Sequence, residues 1–199
     1  KAPLVSIIGM AGIMRDDLED KDFDEVSRNI EKISNSAEKL ECLIEDILNL
    51  SKADHVAEEP RICLLDSICK SIEKKLENLL SENKVKFNYE GLKGAQVHAP
   101  PTRTEQVIEN LVSNAIKYCD PEKAERFVEV TALRNEGKNS IIIKDNGLGI
   151  DRKYHKDLFG MFKRFHSTVT FGSGLGLYLV RKHLDKMGAI IEVSSEHKV

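Results

Sequence analysis

The sequence predicts an α+β fold in which a helical hairpin precedes a second domain of mixed strands and helices. Apolar residues recur at three- and four-residue steps over about the first 50 positions, as they do on one face of an amphipathic helix. Residues 53–60 break this period and end in Pro60, as expected of a linker. Beyond the linker, short strands and helices follow one another without regular β-α-β alternation. We therefore predict two domains, at residues 1–57 and 58–199.

The first two predicted helices carry an apolar seam that is too long for them to bury alone. One helix is expected from Pro3 to about Glu19, and the other from Asp24, a candidate N-cap, to about Ala53. Because two antiparallel helices cannot cover such a seam between themselves, a second copy of the pair is the natural partner. We predict a homodimer through residues 4–53 that forms a four-helix bundle. Packing of the hairpin on its own second domain is the alternative.

The elements of the second domain are predicted from alternation, helical spacing and turn residues. Alternating apolar residues indicate strands, three- and four-residue spacing indicates helices, and residues 135–139 suit the turn of a hairpin. Gly188 is expected to cap the last helix. The predicted strands lie at 62–65, 84–89, 96–99, 127–133, 140–144 and 189–194, the helices at 67–80, 101–118, 152–159 and 174–187, and a loop at 163–173.

Composition excludes several functional classes. The 199 residues are 41% apolar and 32% charged, with a formal charge of −3, so they can bury a core but offer no basic surface for nucleic acid or an anionic membrane. No apolar run approaches the roughly 20 residues that cross a bilayer, and the first residues are not a signal peptide, so a membrane anchor is expected only outside this chain. Four cysteines at unrelated spacings predict reduced thiols in a reducing compartment.

Three polar residues on the helix predicted from Pro101 to Tyr118 are the first candidates for ligand binding. Asn110, Asn114 and Lys117 follow one another at steps of four and three, so they form one stripe. An Asn carbonyl oxygen is a suitable ligand for Mg²⁺, and a neighbouring Lys can hold phosphate oxygens. A solvated outer face is the more common reason for such a stripe, although Asn is a poor helix former that a surface does not require.

Two glycine-rich stretches are the other candidates. Asp145 to Ile150 follows an apolar strand, where a carboxylate can accept a hydrogen bond from an exocyclic amine while glycines let the backbone approach a flat ring. Gly172 to Leu177 precedes a helix, so its N–H groups and the positive helix end can meet an anion. Each signal is weak alone. Asp-Asn-Gly is more often only a turn, and the second stretch does not follow a strand, which disfavours a dinucleotide-binding turn.

Four segments, taken in order, resemble the motifs of one family, the sensor histidine kinases. Glu105 to Tyr118 resembles the N box, Asp145 to Ile150 the first glycine box, Phe159 to Phe165 the F box, and Gly172 to Leu177 the second glycine box. These kinases share an ATPase superfamily with DNA gyrase B, the Hsp90 chaperones and MutL. The resemblance implies that residues 58–199 form an α/β-sandwich, Bergerat-type domain that binds ATP.

The resemblance also implies roles for individual residues. Asn114 would coordinate Mg²⁺, and Asp145 would accept the adenine amino group. Lys117 and Tyr118 would meet the phosphates and the nucleoside. Arg164 would reach the terminal phosphate, with a solvated basic residue as the alternative, so the implied catalytic set is Asn114, Lys117 and Arg164. The implied nucleotide-binding set is Asn110, Asn114, Lys117, Tyr118, Asp145, Gly147, Gly149, Ile150, Gly172, Gly174, Leu175 and Gly176.

The first residues resemble the tail of the family's H box, the motif that contains the phosphoacceptor histidine. In the register of Lys1 to Leu4, that histidine should stand three residues before Lys1. None of the six histidines of this chain is therefore assigned as the acceptor. Ala2 stands where a Thr is often linked to dephosphorylation of the response regulator, which leaves phosphatase activity open.

The activity implied by the resemblance is phosphorylation of that histidine by ATP and Mg²⁺, followed by transfer to an aspartate of a response-regulator receiver domain. A cytoplasmic location is expected. Two alternatives stay open at this point. One is a catalytically silent, ATP-binding dimeric scaffold. The other is an ATPase of the gyrase or chaperone type, for which Glu105 or Glu109 would activate water.

Overall fold

The computed structural model describes residues 2–55, 58–135, 138–163 and 173–196. The chain divides into two compact units, of which the first is built from residues 1–51 and the second holds most of residues 52–199. The predicted boundary between residues 57 and 58 adjoins positions that lie outside the described residues. None of the described helices combines the length and the apolar character that would let it cross a membrane.

The predicted helical hairpin is made of α1 (Ala2–Glu19) and α2 (Phe23–His55), and its residues up to Ser51 belong to the first unit. The predicted N-cap was wrong by two residues. Asp22 rather than Asp24 caps α2, because its Oδ1 accepts the N–H of Glu25 at 3.1 Å. A short acidic side chain just before a helix satisfies N–H groups that the helix itself cannot.

The hairpin joins its helices with polar contacts near the turn and leaves much apolar surface exposed. Asn29 is buried, and its Nδ2 donates to Oδ2 of Asp17 at 2.9 Å. This bond ties the two helices together close to their connection. The large apolar residues of the hairpin that stay exposed are Leu4, Val5, Ile8, Ile13, Leu18, Phe23, Ile30, Ile44, Ile47 and Leu48.

The second unit mixes strands and helices as the sequence predicts. Its described elements are β1 (Arg61–Leu64), α3 (Leu65–Lys75), α4 (Glu77–Asn83), β2 (Val85–Asn88), a 3₁₀ turn (Glu90–Leu92), β3 (Gln96–Ala99), α5 (Pro101–Lys117), β4 (Arg126–Asn135), β5 (Lys138–Asp145), a second 3₁₀ segment (Arg152–Asp157) and α6 (Gly176–Met187).

The strands form two sheets. β1 pairs antiparallel with β3, while β4 pairs parallel with β2 on one side and antiparallel with β5 on the other. At the end of the β4–β5 pair, Val128 stands opposite Asp145. Because directly opposed residues share a face of the sheet, Asp145 lies on the same face as the buried Val128. This register directs the end of β5 toward the helical side of the sheet.

The main core lies between α3, α5 and the larger sheet. Ile72 of α3, Val112 and Ile116 of α5, and Val128 and Val130 of β4 are completely buried in one cluster. The α5 members are spaced four residues apart, as the periodicity of that helix predicts. The core therefore fixes the rotation of α5, and with it the direction of the polar stripe.

A second cluster packs α5 against α6. Val107 of α5 contacts Val180 and Leu184 of α6. Beside them, Nη1 of the buried Arg103 lies 3.4 Å from Nδ1 of the buried His183. Burial, together with the positive charge of Arg103, lowers the pKa of His183. His183 is thus a packing histidine that stays neutral in the folded protein at neutral pH.

Glu58 caps the beginning of α5. Its two carboxylate oxygens accept the N–H groups of Thr102 at 2.8 Å and of Arg103 at 3.2 Å. Burial by itself would raise the pKa of Glu58, but these hydrogen bonds and the nearby Arg103 charge outweigh it, so the pKa is lowered. The carboxylate also interacts favourably with the positive end of the helix.

Four sequence predictions of secondary structure were wrong in detail. The helix predicted at 67–80 is two helices that meet at Leu76, and the helix predicted at 152–159 is a 3₁₀ segment. α6 begins two residues late, because Gly174 has a φ of 75°, outside the helical region. No strand forms at 189–194, since those residues join neither sheet of the described chain, and alternation alone cannot supply a backbone partner.

The lowered pKa of His183 predicts that the chain loses stability as pH falls through 6.5, the ordinary histidine value. The unfolded chain binds the proton first, so the free energy of unfolding decreases with falling pH. We expect His183→Gln to remove part of this decrease between about pH 7.5 and about pH 5.5. Urea unfolding at both pH values measures the effect. His98→Gln changes an exposed histidine and should keep the full decrease. Equal pH dependence in His183→Gln and the unaltered chain would show the assignment to be wrong.

Candidate functional site

The polar stripe of α5 lies beside the face that the core covers. Val112 and Ile116 are completely buried, whereas Asn110, Asn114 and Lys117 are half-buried. A half-buried stripe differs from the solvated outer face that usually accounts for polar residues on a helix. Another part of the chain must therefore pack near these side chains.

That part is the beginning of α6. A Cβ atom placed on Gly176 would lie 3.1 Å from Oδ1 of Asn110, and 3.8 and 4.0 Å from the two amide atoms of Asn114. Nδ2 of Asn110 donates to the carbonyl oxygen of Gln106 at 2.9 Å, which leaves Oδ1 as the amide atom next to Gly176. A larger residue at this position would crowd both amides. Close approach, rather than an unusual backbone angle, explains this glycine.

The contact places a helix N-terminus beside two amide oxygens. The first N–H groups of an α-helix have no acceptor within the helix, and the helix dipole gives this end a partial positive charge. A helix N-terminus can hold phosphate, and amide oxygens can hold a hard cation such as Mg²⁺. The arrangement suits a phosphate group that carries Mg²⁺.

The donor set of the described residues fits a metal of that kind. Histidine, cysteine, aspartate and glutamate side chains do not gather in any group of three or more within the described ranges. Mg²⁺ usually keeps several waters and takes other ligands from substrate phosphates, so it needs only one or two protein ligands. The half-buried Asn114, with Asn110 one turn earlier, meets that need.

The first glycine stretch is held against the C-terminal end of α5. The N–H of Leu148 donates to the carbonyl oxygen of Tyr118 at 3.0 Å. A Cβ atom placed on Gly147 would overlap that same oxygen and would lie 3.0 Å from Oδ1 of Asp145. Gly149 has a φ of 71°, which is a left-handed conformation. The two glycines are therefore required for different reasons, close approach at 147 and backbone angle at 149.

Asp145 presents one carboxylate oxygen to a ligand. Oδ1 accepts the N–H of Gly147 at 2.8 Å, and the residue is exposed at the end of β5. Among the described residues no donor is assigned to Oδ2, so that oxygen can accept a hydrogen bond from an exocyclic amine.

The two glycine contacts lie at different heights along α5. Tyr118 follows Asn110 by two helical turns and a little more, which is about 12 Å along the axis. An elongated ligand could therefore contact both ends, with the half-buried Lys117 between them. The predicted residues that the structure brings into contact are Asn110, Asn114 and Gly176 at one end, and Tyr118, Asp145 and Gly147 at the other.

The remaining predicted residues are placed less directly. The N–H of Ile150 donates to Oγ of Ser195 at 2.8 Å. A Cβ atom on Gly174 would lie 2.8 Å from the carbonyl carbon of Phe162, and the side chain of Leu175 is buried. These three residues shape the backbone of the site, and the structure shows no open side-chain surface at Leu175. The predicted Arg164 and Gly172 lie outside the described residues.

Sequence analysis did not predict that Asn146 helps to anchor the first glycine stretch. Its Oδ1 accepts the N–H of Phe127 at 3.0 Å, and its Nδ2 donates to the carbonyl oxygen of Glu125 at 2.8 Å. Nζ of Lys123 donates to the backbone carbonyl of Asn146. The only available signal was the Asn itself, a residue that turns favour for several reasons.

The two glutamates of α5 are engaged on another side of the helix. Lys75 of α3 forms ion pairs with Glu105 at 3.0 Å and with Glu109 at 2.8 Å. Burial alone would lower the pKa of Lys75, but the two carboxylates outweigh it and the pKa is raised. Both glutamates therefore face α3. Asn110 immediately follows Glu109, so its side chain points about 100° away around the helix.

A helical hairpin is followed by an α/β domain whose glycine and asparagine contacts suit a protein that binds a nucleotide. The model of the histidine kinase-, DNA gyrase B-, and HSP90-like ATPases matches residues 99–199, and the model of the His Kinase A (phospho-acceptor) domain matches residues 1–56. The chain belongs to this ATPase family and has the two domain matches of a sensor histidine kinase catalytic core. The predicted fold class and family are confirmed.

Individual relatives agree with the family. The chain is 29% identical over 203 residues to the methanogenesis regulatory histidine kinase FilI of Methanothrix harundinacea (strain 6Ac), and the match covers 98% of this chain but 22% of FilI. The solved structure of histidine kinase ThkA in complex with response regulator protein TrrA has a TM-score of 0.66 at 24% identity, over 94% of this chain and 52% of that one. Full-length ShkA in complex with AMPPNP has a TM-score of 0.61 at 17% identity, over 83% and 34%.

Gly147→Ala tests whether the first glycine stretch takes part in nucleotide binding. The added methyl group would overlap the Tyr118 carbonyl oxygen, so the turn must move, and we expect MgATP to bind at least about tenfold more weakly. Titration calorimetry measures the dissociation constant. Gly91→Ala is the matched control, because its added atom would meet only Cγ2 of Thr131 at 3.8 Å, an ordinary contact. Unchanged affinity in Gly147→Ala would mean that the nucleotide does not use this turn.

Proposed function

We propose that this chain is the catalytic core of a protein-histidine kinase that uses MgATP. The proposal is carried by the contact of Gly176, at the start of α6, with the amides of Asn110 and Asn114. That contact joins a helix end suited to phosphate with oxygen ligands suited to Mg²⁺. Membership of the ATPase family and the phospho-acceptor domain match support the same reading.

Each residue at the phosphate end has its own task in this proposal. Asn114, with Asn110 beside it, would hold Mg²⁺ through an amide oxygen. When bound, the ion neutralises charge on the phosphate oxygens. Lys117 would place its ammonium group against the phosphates, and Arg164 would meet the terminal one. The N–H groups at Gly176 would receive phosphate oxygens at the start of α6.

The nucleoside end is proposed at the C-terminus of α5. Oδ2 of Asp145 would accept a hydrogen bond from the adenine amino group, with Oδ1 held by Gly147. Tyr118 would line the nucleoside pocket. The further residues of the proposed nucleotide-binding set are Gly149, Ile150, Gly172, Gly174 and Leu175.

The proposed reaction transfers the γ-phosphoryl group of ATP to a histidine nitrogen. The bond from the γ-phosphorus to the bridging oxygen breaks, ADP leaves with its electron pair, and a phosphorus–nitrogen bond forms. Positioning and charge stabilisation account for most catalysis of this kind. The acceptor is proposed to precede Lys1 by three residues. An aspartate of a response regulator would take the phosphoryl group next; ThkA, which has a similar fold, is seen in complex with response regulator protein TrrA.

An ATPase that activates water is less well supported. Glu105 and Glu109 are the available carboxylates of α5, and both pair with Lys75 on the side of α3. A glutamate in an ion pair that points away from Asn110 is poorly placed to take a proton from water beside the phosphate. The presence of Asn114, Lys117 and Asp145 argues against the other alternative, a catalytically silent scaffold.

We also propose that the hairpin pairs with a second copy of itself. Ile8 is 65% exposed and Ile44 is 52% exposed, although burial of such side chains is favourable. Ile7, Leu40 and Ile44 line an open groove of about 460 Å³ between α1 and α2. Two further helices would fill it and complete a four-helix bundle. The buried thiols of Cys63, Cys69 and Cys119 are consistent with a reducing compartment, which supports the expected cytoplasmic location.

Phosphorylation tests the proposed kinase activity. The chain is extended by His-Glu-Leu before Lys1 and incubated with MgATP labelled on the γ-phosphate. We expect acid-labile, base-stable label on the extended chain, none on the original chain, and labelling at least about 100-fold slower in extended Asn114→Ala. Extended Asn139→Ala, which changes an exposed residue of β5, should label normally. Bound ATP without label would favour the scaffold, and ATP turnover without label would favour the ATPase.

Ile44→Asp tests the proposed dimer. Ile44 is an apolar residue of this groove, so a charge at its position would have to be buried on association, and we expect the variant to be monomeric at concentrations where the unaltered chain is dimeric. Light scattering coupled to size-exclusion chromatography gives the mass. Ser34→Asp places the same charge on an exposed polar position of α2 and should remain dimeric. A monomeric unaltered chain would contradict the proposal.

A further inference from the structure

The side chain of Asn146 continues the β4–β5 ladder where its backbone pairing ends. The last backbone pair joins Val128 and Asp145. One residue further on, Oδ1 of Asn146 accepts the N–H of Phe127 at 3.0 Å, and its Nδ2 donates to the carbonyl oxygen of Glu125 at 2.8 Å. A primary amide offers one acceptor and one donor group, the same pair that a peptide unit offers. The turn is thereby fastened to β4 although its backbone has left the sheet.

The segment that receives Asn146 is itself fixed. Arg126 donates from Nη1 to the carbonyl oxygen of Asn83 at 2.8 Å and from Nη2 to that of Pro121 at 2.7 Å. Nζ of Lys123, from the same segment, donates to the backbone carbonyl of Asn146. Both the side chain and the backbone of Asn146 are therefore hydrogen-bonded to a segment that is itself hydrogen-bonded to the end of α4.

The turn that follows needs such an anchor because its glycines do not restrict the backbone conformation. Gly147 and Gly149 flank Leu148, and glycine has more backbone freedom than any other residue. Hydrogen bonds weaken steeply with distance and angle, so a carboxylate at the edge of a free turn would hold a ligand poorly. Asp145 precedes Asn146 directly, and its Oδ1 bonds to Gly147 on the other side. Asn146 therefore holds the backbone between Asp145 and Gly147, the residue whose N–H binds the Asp145 carboxylate.

We propose that Asn146 is a positioning residue that aims Asp145 at the exocyclic amine of adenine, a role that rests on the proposed function of the site. Asn146 uses its amide oxygen and its amide nitrogen to bind the backbone of Phe127 and Glu125, so we assign it no contact with the nucleotide. It makes no hydrogen bond to Asn110, Asn114 or Gly176 within the described residues, so it does not control the phosphate end. Its loss weakens recognition of the amine and spares the phosphates.

Binding of two nucleotides to the full chain tests this role. MgATP is compared by titration calorimetry with the magnesium complex of purine riboside triphosphate, which lacks the 6-amino group. We expect Asn146→Ala to bind MgATP about tenfold more weakly and the analogue less than about twofold more weakly. In the background of Asp145→Ala, the added Asn146→Ala change should cost less than about twofold for MgATP, because coupled residues are not additive. Asn139→Ala, on the same strand, should change neither affinity.

A general loss of structure gives a different pattern. Equal weakening of both nucleotides, or weakening of neither, would overturn the role of Asn146 while leaving MgATP binding by the unaltered chain intact. No binding of either nucleotide to the unaltered chain would overturn the proposed function as well. Asn146→Asp keeps the acceptor for Phe127 and loses the donor to Glu125, so it carries the same comparison if thermal unfolding shows that Asn146→Ala does not fold. Selective weakening of MgATP is expected in it too.

Discussion

The carbonyl oxygen of Tyr118 is the contact on which the candidate site depends. The last carbonyl groups of a helix have no partner within it, and this one accepts the N–H of Leu148 at 3.0 Å. The approach is possible only because residue 147 has no Cβ atom. This hydrogen bond joins the end of the polar stripe of α5 to the glycine turn that carries Asp145. Two motifs that are far apart in the sequence become one site.

α5 can act as the frame of the site because each of its sides is occupied. Val112 faces the sheet core, Glu109 faces α3 through Lys75, and Val107 packs against α6. Glu58 satisfies its first N–H groups. A helix held on so many sides has little freedom to rotate, so Asn110 and Asn114 keep their direction toward α6. Sites on such elements are placed more accurately than sites on loops.

The placement of the polar residues around α5 also distinguishes two possible reactions, the kinase reaction and the hydrolysis of ATP. The ATPase family includes kinases, gyrases and chaperones, so the fold alone does not settle which reaction takes place. In this chain the carboxylates of the helix are paired with a lysine on the side of α3, and the residues next to the glycine of α6 are neutral amides. Neutral amides suit metal and phosphate binding and supply no base for water. Placement, rather than the presence of a glutamate, distinguishes the two readings.

The sequence by itself determined the elements whose signal is local. Helical spacing located α1, α2 and α5, alternation located β2, and the order of four motifs identified the family. Tertiary structure decided everything that needed a distant partner. The apolar alternation at 189–194 found no strand to pair with, and the reason for Gly176 became visible only beside Asn110. In the sequence Asn146 could not be distinguished from an ordinary turn residue, and its role depends on hydrogen bonds to Phe127 and Glu125 that only the folded chain forms. Periodicity is a property of the sequence itself, whereas a hydrogen bond or a close approach exists only when folding brings both partners together.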